Sequence, residues 1–342
     1  MALSEQEVLA QSRAAMAQWQ QTWDANSAEN GKRYKADGNS HQDLLFAGAG
    51  KTMLCIGLGP SFEHKIDIIK KYCVDNPAVE IGCVDKAFGL LLDHGVKAKY
   101  VFIADAGIGP EWIEPYMDKT EGVNLIANVN ANPAWTLPWK GKVYFFVNKD
   151  NIQTEVRYSG ISGCYEQIPA SSNVGNTVLV FSTQILGYDQ YILVGYDYCW
   201  YDSDNYYAFN DSVKRYWMRH MTIIDPFGNI GNTSQNLYFS ARWLKDFHDI
   251  QLKHHRIKAY NCSGQGVLEI PLASLERKLK SAKVRNMSDN EKQRIFKSLV
   301  RKRSFSAREG EEPFKKFIEK EKIVNVDVFY MPQEAHEWVT TL

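Results

Sequence analysis

From residue 53 to residue 195 the sequence alternates short apolar runs with helical stretches, and few folds accept that pattern. The apolar runs are Met53–Leu58, Val79–Val84, Tyr100–Ala104, Asn124–Val129, Val143–Val147 and Tyr191–Gly195. Phe62–Tyr72, Lys86–Asp93, Glu111–Met117 and Val174–Leu186 read as the intervening helices. Strands alternating with helices build βαβ units and a parallel sheet. The expected fold is therefore α/β: a Rossmann-like, mostly parallel sheet with helices on both faces. Ligands of such sheets bind beyond the carboxyl ends of the strands.

The flanks divide the chain into three parts. Ser4 and Glu7 form a capping-box pattern opening a helix with Val8, Leu9, Met16, Trp19 and Trp23 on one side. The polar, Gly-containing stretch from Asn26 to Gly50 reads as a linker, so residues 1–50 are an N-terminal helix and linker. Residues 51–270 form the nucleotide-binding domain. It includes a Tyr/Asp-rich loop after Asp197, a long helix at Thr233–His255 and a short strand at Ile257–Tyr260. Residues 271–342 read as a basic helical extension.

Composition narrows the class. With 44% hydrophobic residues the chain can form a core without staples. Its six cysteines are scattered with no C-x-x-C pair, which fits buried thiols in a reducing compartment rather than zinc ligands. The N-terminal residues lack a signal pattern, and no apolar stretch reaches the length of a membrane span, so the expected location is cytoplasmic. Formal charge is zero overall, but Arg277 to Lys322 carries sixteen Lys/Arg against seven Asp/Glu. That excess suits either a polyanionic partner such as nucleic acid or a solvated helical face.

Several segments carry candidate chemistry. Gly57-Leu58-Gly59-Pro60-Ser61 ends the first strand, where two glycines permit a sharp turn and Pro60 and Ser61 suit a helix start that attracts phosphate. Asp85 and Asp105 each close a strand, and two carboxylates at one sheet edge suit a magnesium ion or ribose hydroxyls. Asp197 closes a third. The small polar run Ser171-Ser172-Asn173-Val174-Gly175-Asn176-Thr177 precedes an apolar helix and can cap it, bind an anion or sugar, or do both. Asp202-Ser203-Asp204 has the D-x-D form by which nucleotide-sugar enzymes hold a metal, and His220 is a candidate base. Gly48-Ala49-Gly50-Lys51-Thr52 resembles the end of a P-loop, but a strand follows where that motif needs a helix.

Taken in order, these segments resemble the MptE-like proteins, which include archaeal 6-hydroxymethylpterin diphosphokinases and the motility accessory factor (Maf) glycosyltransferases of flagellin. The resemblance rests on Ile56–Ser61, Cys83–Phe88, Leu92–Val96, Tyr100–Asp105, Ser172–Thr177, Ile192–Asp197 and Tyr260–Gly266. Phe62 stands where leucine is usual and Ala106 where proline is expected, which leaves the substrate open. The resemblance implies a nucleotide-bound donor. In its Maf branch, similar in fold to sialyltransferases that use CMP-activated nonulosonic acids, Tyr198 and His220 would serve transfer. In its pterin branch, diphosphate would move from ATP with magnesium. The favoured expectation is a glycosyltransferase with a CMP- or UDP-linked sugar donor and an acceptor that is extended or macromolecular. The diphosphokinase and a non-catalytic nucleotide-binding adaptor are the alternatives. Expected site residues are Asp105, Asp197 and His220 for catalysis, and Asp105 for a metal. Gly57, Gly59, Pro60, Ser61, Asp85, Ser172, Asn173, Gly175, Thr177 and Tyr198 are expected to bind the nucleotide.

Overall fold

The computed structural model describes residues 5–149, 152–169, 171–201, 207–209, 221–253 and 256–292. Eight strands form one parallel sheet: β1 (Thr52–Ile56), β2 (Val79–Val84), β3 (Tyr100–Ile103), β4 (Asn124–Asn128), β5 (Val143–Lys149), β6 (Gln167–Pro169), β7 (Gln190–Val194) and β10 (Lys258–Asn261). Their order is β10-β7-β1-β2-β3-β4-β5-β6. Two further strands, β8 (Met221–Ile224) and β9 (Ile230–Thr233), make a separate antiparallel hairpin. The helices are α1 (Glu5–Asp37), α2 (Ile66–Cys73), α3 (Ala87–Asp93), α4 (Pro133–Thr136), α5 (Ile152–Ser162), α6 (Val174–Phe181), α7 (Gln235–Phe247) and α8 (Leu275–Ser281).

The topology locates the site. From β1 the chain steps outward to β6, then returns through α6 to lay β7 against the free side of β1. Crossovers between parallel strands are right-handed, so this reversal puts α6 on the face opposite α2 and α3. A crevice opens where the order reverses, between the carboxyl ends of β1 and β7. The register keeps those ends level, with Ile56 opposite both Cys83 of β2 and Val194 of β7. All five residues of β1 are buried, because both faces of the sheet are covered.

Helix α1 corrects the sequence expectation. It runs to Asp37, through half of the stretch read as linker. Several of its polar residues there are hydrogen-bonded inside the protein. Asn30 is buried and donates to the carbonyls of Val129 and Ala131, each at 2.8 Å. Arg33 donates to the carbonyls of Leu137 and Trp139. Gly31 fits the approach of α5, since a Cβ there would lie 2.5 Å from the Ser162 carbonyl oxygen. Polarity in this segment marks satisfied buried groups such as Ser27 and Asn30 together with an exposed helix face, rather than a loop.

Smaller differences follow the same logic. Glu111–Met117, expected as a helix, is two short 3-10 turns, Pro110–Trp112 and Glu114–Lys119. Of the helical extension expected over residues 271–342, only 271–292 are described; among these, α8 and residues 289–292 are helical and residues 282–288 are not. All six cysteines are buried free thiols. Among the described residues, no helix is long and apolar enough to cross a membrane.

Candidate active site

The turn after β1 and the turn after β7 are pressed together. Gly57 donates its N–H to Val194 O at 2.8 Å, and Gly59 donates to Gly195 O at 2.9 Å. A Cβ on Gly195 would meet Gly57 O at 2.5 Å, and Gly195 has a φ of 72°, which glycine adopts without strain. This contact requires glycine on both sides.

Asp197 locks the arrangement from beneath. Its carboxylate accepts from the Ser61 N–H at 2.7 Å, the Ser61 hydroxyl at 2.5 Å and the Gln265 amide at 3.3 Å. It therefore ties the loop after β1 to the loops after β7 and β10. The side chain is completely buried, and burial pushes its pKa up to about 6 against the opposing pull of the Ser61 bonds. Asp197, expected as catalytic, does not line the cleft. Pro60, Ser61 and Thr177 stand behind the lining too. Thr177 pairs with the Ser171 hydroxyl at 2.7 Å.

Above this floor lies a cleft of about 470 Å³. Gly57, Leu58, Gly59, Asp85, Asp105, Ser172, Asn173, Gly175 and Tyr198 line it, so the structure brings together most of the expected binding residues. One wall is the start of α6. Asn173 caps it by accepting from the Asn176 N–H at 2.8 Å. The N–H groups of Val174 and Gly175 precede any intrahelical acceptor, so they mark an anion-attracting end. Ser172 has a φ of 63°, uncommon for a residue with a Cβ, and its hydroxyl accepts from the Asn176 amide at 3.1 Å. Tyr198, with a φ of 52°, donates its hydroxyl to Asn176 Oδ1 at 2.6 Å. Burial pushes that phenol's pKa up, so it stays a neutral donor.

The opposite wall holds the charges. Asp85 is 5% exposed and accepts from the Lys86 N–H at 2.7 Å. Burial pushes its pKa up to about 7, and the nearby negative Asp105 adds to the rise. Asp105 is exposed and accepts from the Gly107 N–H at 2.8 Å. Lys86, which has no role in the sequence-based site, also lines the cleft. Its ammonium lies 5.1 Å from the Trp112 ring centroid and 4.8 Å from that of Tyr207, and donates to the Tyr207 hydroxyl at 3.3 Å. Tyr196, Trp200 and Leu237 complete an apolar rim. Among the described residues no group of three or more His, Cys, Asp or Glu is placed to hold a metal. His220 and Asp202-Ser203-Asp204 lie outside the described residues.

Comparison with known proteins bears on the fold and the family. One solved structure similar in fold is the MAf glycosyltransferase from Magnetospirillum magneticum AMB-1, with a TM-score of 0.55 and 16% identity. The similarity covers 86% of this chain but 43% of that one, so this chain spans less than half of its neighbour's length. At that identity the likeness shows the fold. No curated protein matches the chain. The family model described as "6-hydroxymethylpterin diphosphokinase MptE-like" matches residues 25–203, more than half of the chain and all of the sheet from β1 to β7. The chain belongs to the MptE-like family.

Proposed function

We propose that this protein is a transferase whose cleft holds a CMP- or UDP-linked sugar and passes the sugar to an acceptor hydroxyl. The observation that carries this reading is a convergence at the switch point of the sheet. Lys86, the start of α6 and the Gly57–Gly59 turn all face one cavity, with the Asp105 carboxylate exposed beside them. A nucleotide's phosphate suits the cationic and N–H-rich walls, and its base suits Tyr196, Trp200 and Leu237. In transfer, the acceptor oxygen attacks the anomeric carbon, and the bond from that carbon to the phosphate oxygen breaks. The departing nucleotide keeps the electron pair, and its growing charge is met by Lys86 and the α6 N–H groups. Asp105 takes the acceptor proton. Asp85, close to half-neutral near pH 7, does not set a full negative charge opposite the phosphate.

A second reading, 6-hydroxymethylpterin diphosphokinase, draws on the family description and on the Asp85–Asp105 pair. Magnesium is commonly bound by one or two carboxylates together with substrate phosphates. The two residues fit an ion brought in by a nucleotide and do not form a cage of their own. When bound, such an ion neutralises phosphate charge.

Incubation of the full chain with CMP- and UDP-sugars plus acceptor hydroxyls, and separately with ATP plus the pterin, decides between these readings. Release of CMP or UDP, lost in Asp105→Asn with the fold intact, supports transfer of a sugar. AMP release with pterin supports the second reading. Nucleotide binding without any release assigns the chain to the non-catalytic adaptor class and overturns both.

A further inference from the structure

A second cavity, of about 610 Å³, opens at the opposite edge of the sheet, where β1, β7 and β10 begin. Thr52, Gln190 and Lys258, the first residues of these strands, line it and stand level in register. Its other side is the segment after α8. That segment is fastened across the strand ends by Arg285, whose N–H donates to Gly50 O at 2.8 Å. Gly50 has a φ of 78°, and a Cβ there would collide with the Arg285 carbonyl. The wall is thus built by specific backbone packing. It incorporates Gly50-Lys51-Thr52, the end of the P-loop-like motif that the nucleotide cleft does not use.

The charges around this cavity do not cancel. Lys51, Arg256, Lys258, Lys283 and Arg285 line it, with Asp189 and Glu291 as the acids. Both acids are taken by Arg285, at 2.6 and 2.8 Å. Lys51 is paired with Glu80 at 2.5 Å. Among the described residues, no carboxylate pairs with Arg256, Lys258 or Lys283. Arg256 is held with a φ of 59°, a conformation that arginine seldom adopts. Like charges gathered around one cavity repel each other and raise the local concentration of anions. The volume falls in the range of small-molecule sites, roughly 300–1,000 Å³.

We propose that this cavity is a second ligand site, separate from the nucleotide cleft, for a small compound carrying two or more phosphate groups. Three cations that pair with no described carboxylate match the charge of a pyrophosphate better than that of a single phosphate. Guanidinium and ammonium groups both bind phosphate oxygens through charge-assisted hydrogen bonds.

The site can be read directly by lysine acetylation of the full chain, quantified by mass spectrometry, with inorganic pyrophosphate as the probe. The expected result is saturable protection of Lys258 and Lys283, with no comparable effect from sodium chloride at matched ionic strength. Arg256→Asn keeps a residue that tolerates positive φ and should weaken protection about tenfold. Lys86→Ala should leave protection unchanged, which separates this site from the cleft. The proposal is overturned if Lys258 and Lys283 react equally with and without pyrophosphate. Chloride giving the same protection, or Lys86→Ala removing it, overturns it as well. A parallel arm with duplex DNA distinguishes the source of the phosphates: protection by duplex alone, with none by pyrophosphate, rules out a small ligand.

Discussion

Asp197 and Ser61 are joined twice, by the Ser61 N–H at 2.7 Å and its hydroxyl at 2.5 Å, across 136 positions of sequence. The pair holds the turn after β1 against the turn after β7, and the cleft is the space above it. Glycine is required on both sides. A Cβ on Gly59 would lie 2.7 Å from Asp197 Oδ2, and one on Gly266 would lie 2.5 Å from Asp197 O.

A double-mutant cycle should expose this coupling. Asp197→Ala strips the acceptor from buried donors and should cost roughly 2–4 kcal/mol. Gly59→Ala should cost a similar amount in the native background but less in Asp197→Ala, where the carboxylate it meets is gone. Urea denaturation of the four proteins measures the coupling. Strict additivity would show that the Gly59–Asp197 contact carries no energy.

Asp85 should make stability depend on pH. Its folded pKa is raised from 3.8 to about 7 by burial. Between those values the folded protein binds the proton more readily than the unfolded chain, so Asp85's contribution falls as pH rises through this window. Asp85→Asn removes the buried charge. It should raise stability at pH 8 by roughly 2–4 kcal/mol relative to its effect at pH 4. Thermal melts at both pH values test this, and an equal effect at both would contradict it.

Gly31→Ala sets two terms against each other. Alanine should favour a helix by about 1 kcal/mol. Here its methyl would lie 2.5 to 2.9 Å from backbone atoms of Ser162 and force α1 away from α5. The steric term wins, with an expected net loss of about 1–3 kcal/mol by denaturant melts.

Much of the fold was legible because parallel strands covered on both faces are largely apolar, as in Val79–Val84, where Glu80 alone breaks the run and the expected and observed bounds coincide. The glycine turn, Asp85, Asp105 and the start of α6 were legible because strand ends and helix starts carry short polar signatures. What stayed hidden depends on distant partners. Asp197 ends its strand as Asp85 does, but only the fold shows it covered by Ser61 and Gln265. Lys86 looked like an ordinary first turn of helix, because its aromatic neighbours Trp112 and Tyr207 come from elsewhere in the chain. The β8–β9 hairpin turns at Asp225-Pro226-Phe227-Gly228-Asn229, a turn signature that lies in the stretch expected as a Tyr/Asp-rich loop.

The basic extension can be tested separately. Leu275 and Leu279 of α8 are buried, so removal should start after Lys292 rather than before α8. If the excess charge engages nucleic acid, the shortened chain should lose duplex binding measured by anisotropy at low salt. The full chain's affinity should also fall steeply between about 50 and 200 mM salt. Equal affinity of both chains would mark the extension as a solvated face.

The most direct test of the central claim is a calorimetric titration of CMP, UDP and ATP into the wild type, Lys86→Ala and Arg256→Asn. At least one nucleotide should bind the wild type, about tenfold more weakly to Lys86→Ala, where a charge-assisted contact to phosphate is lost. Arg256→Asn, at the far edge of the sheet, should retain that nucleotide with wild-type affinity in the cleft. No binding below roughly millimolar concentration, or equal affinity for wild type and Lys86→Ala, would contradict a nucleotide-holding cleft at the ends of β1 and β7.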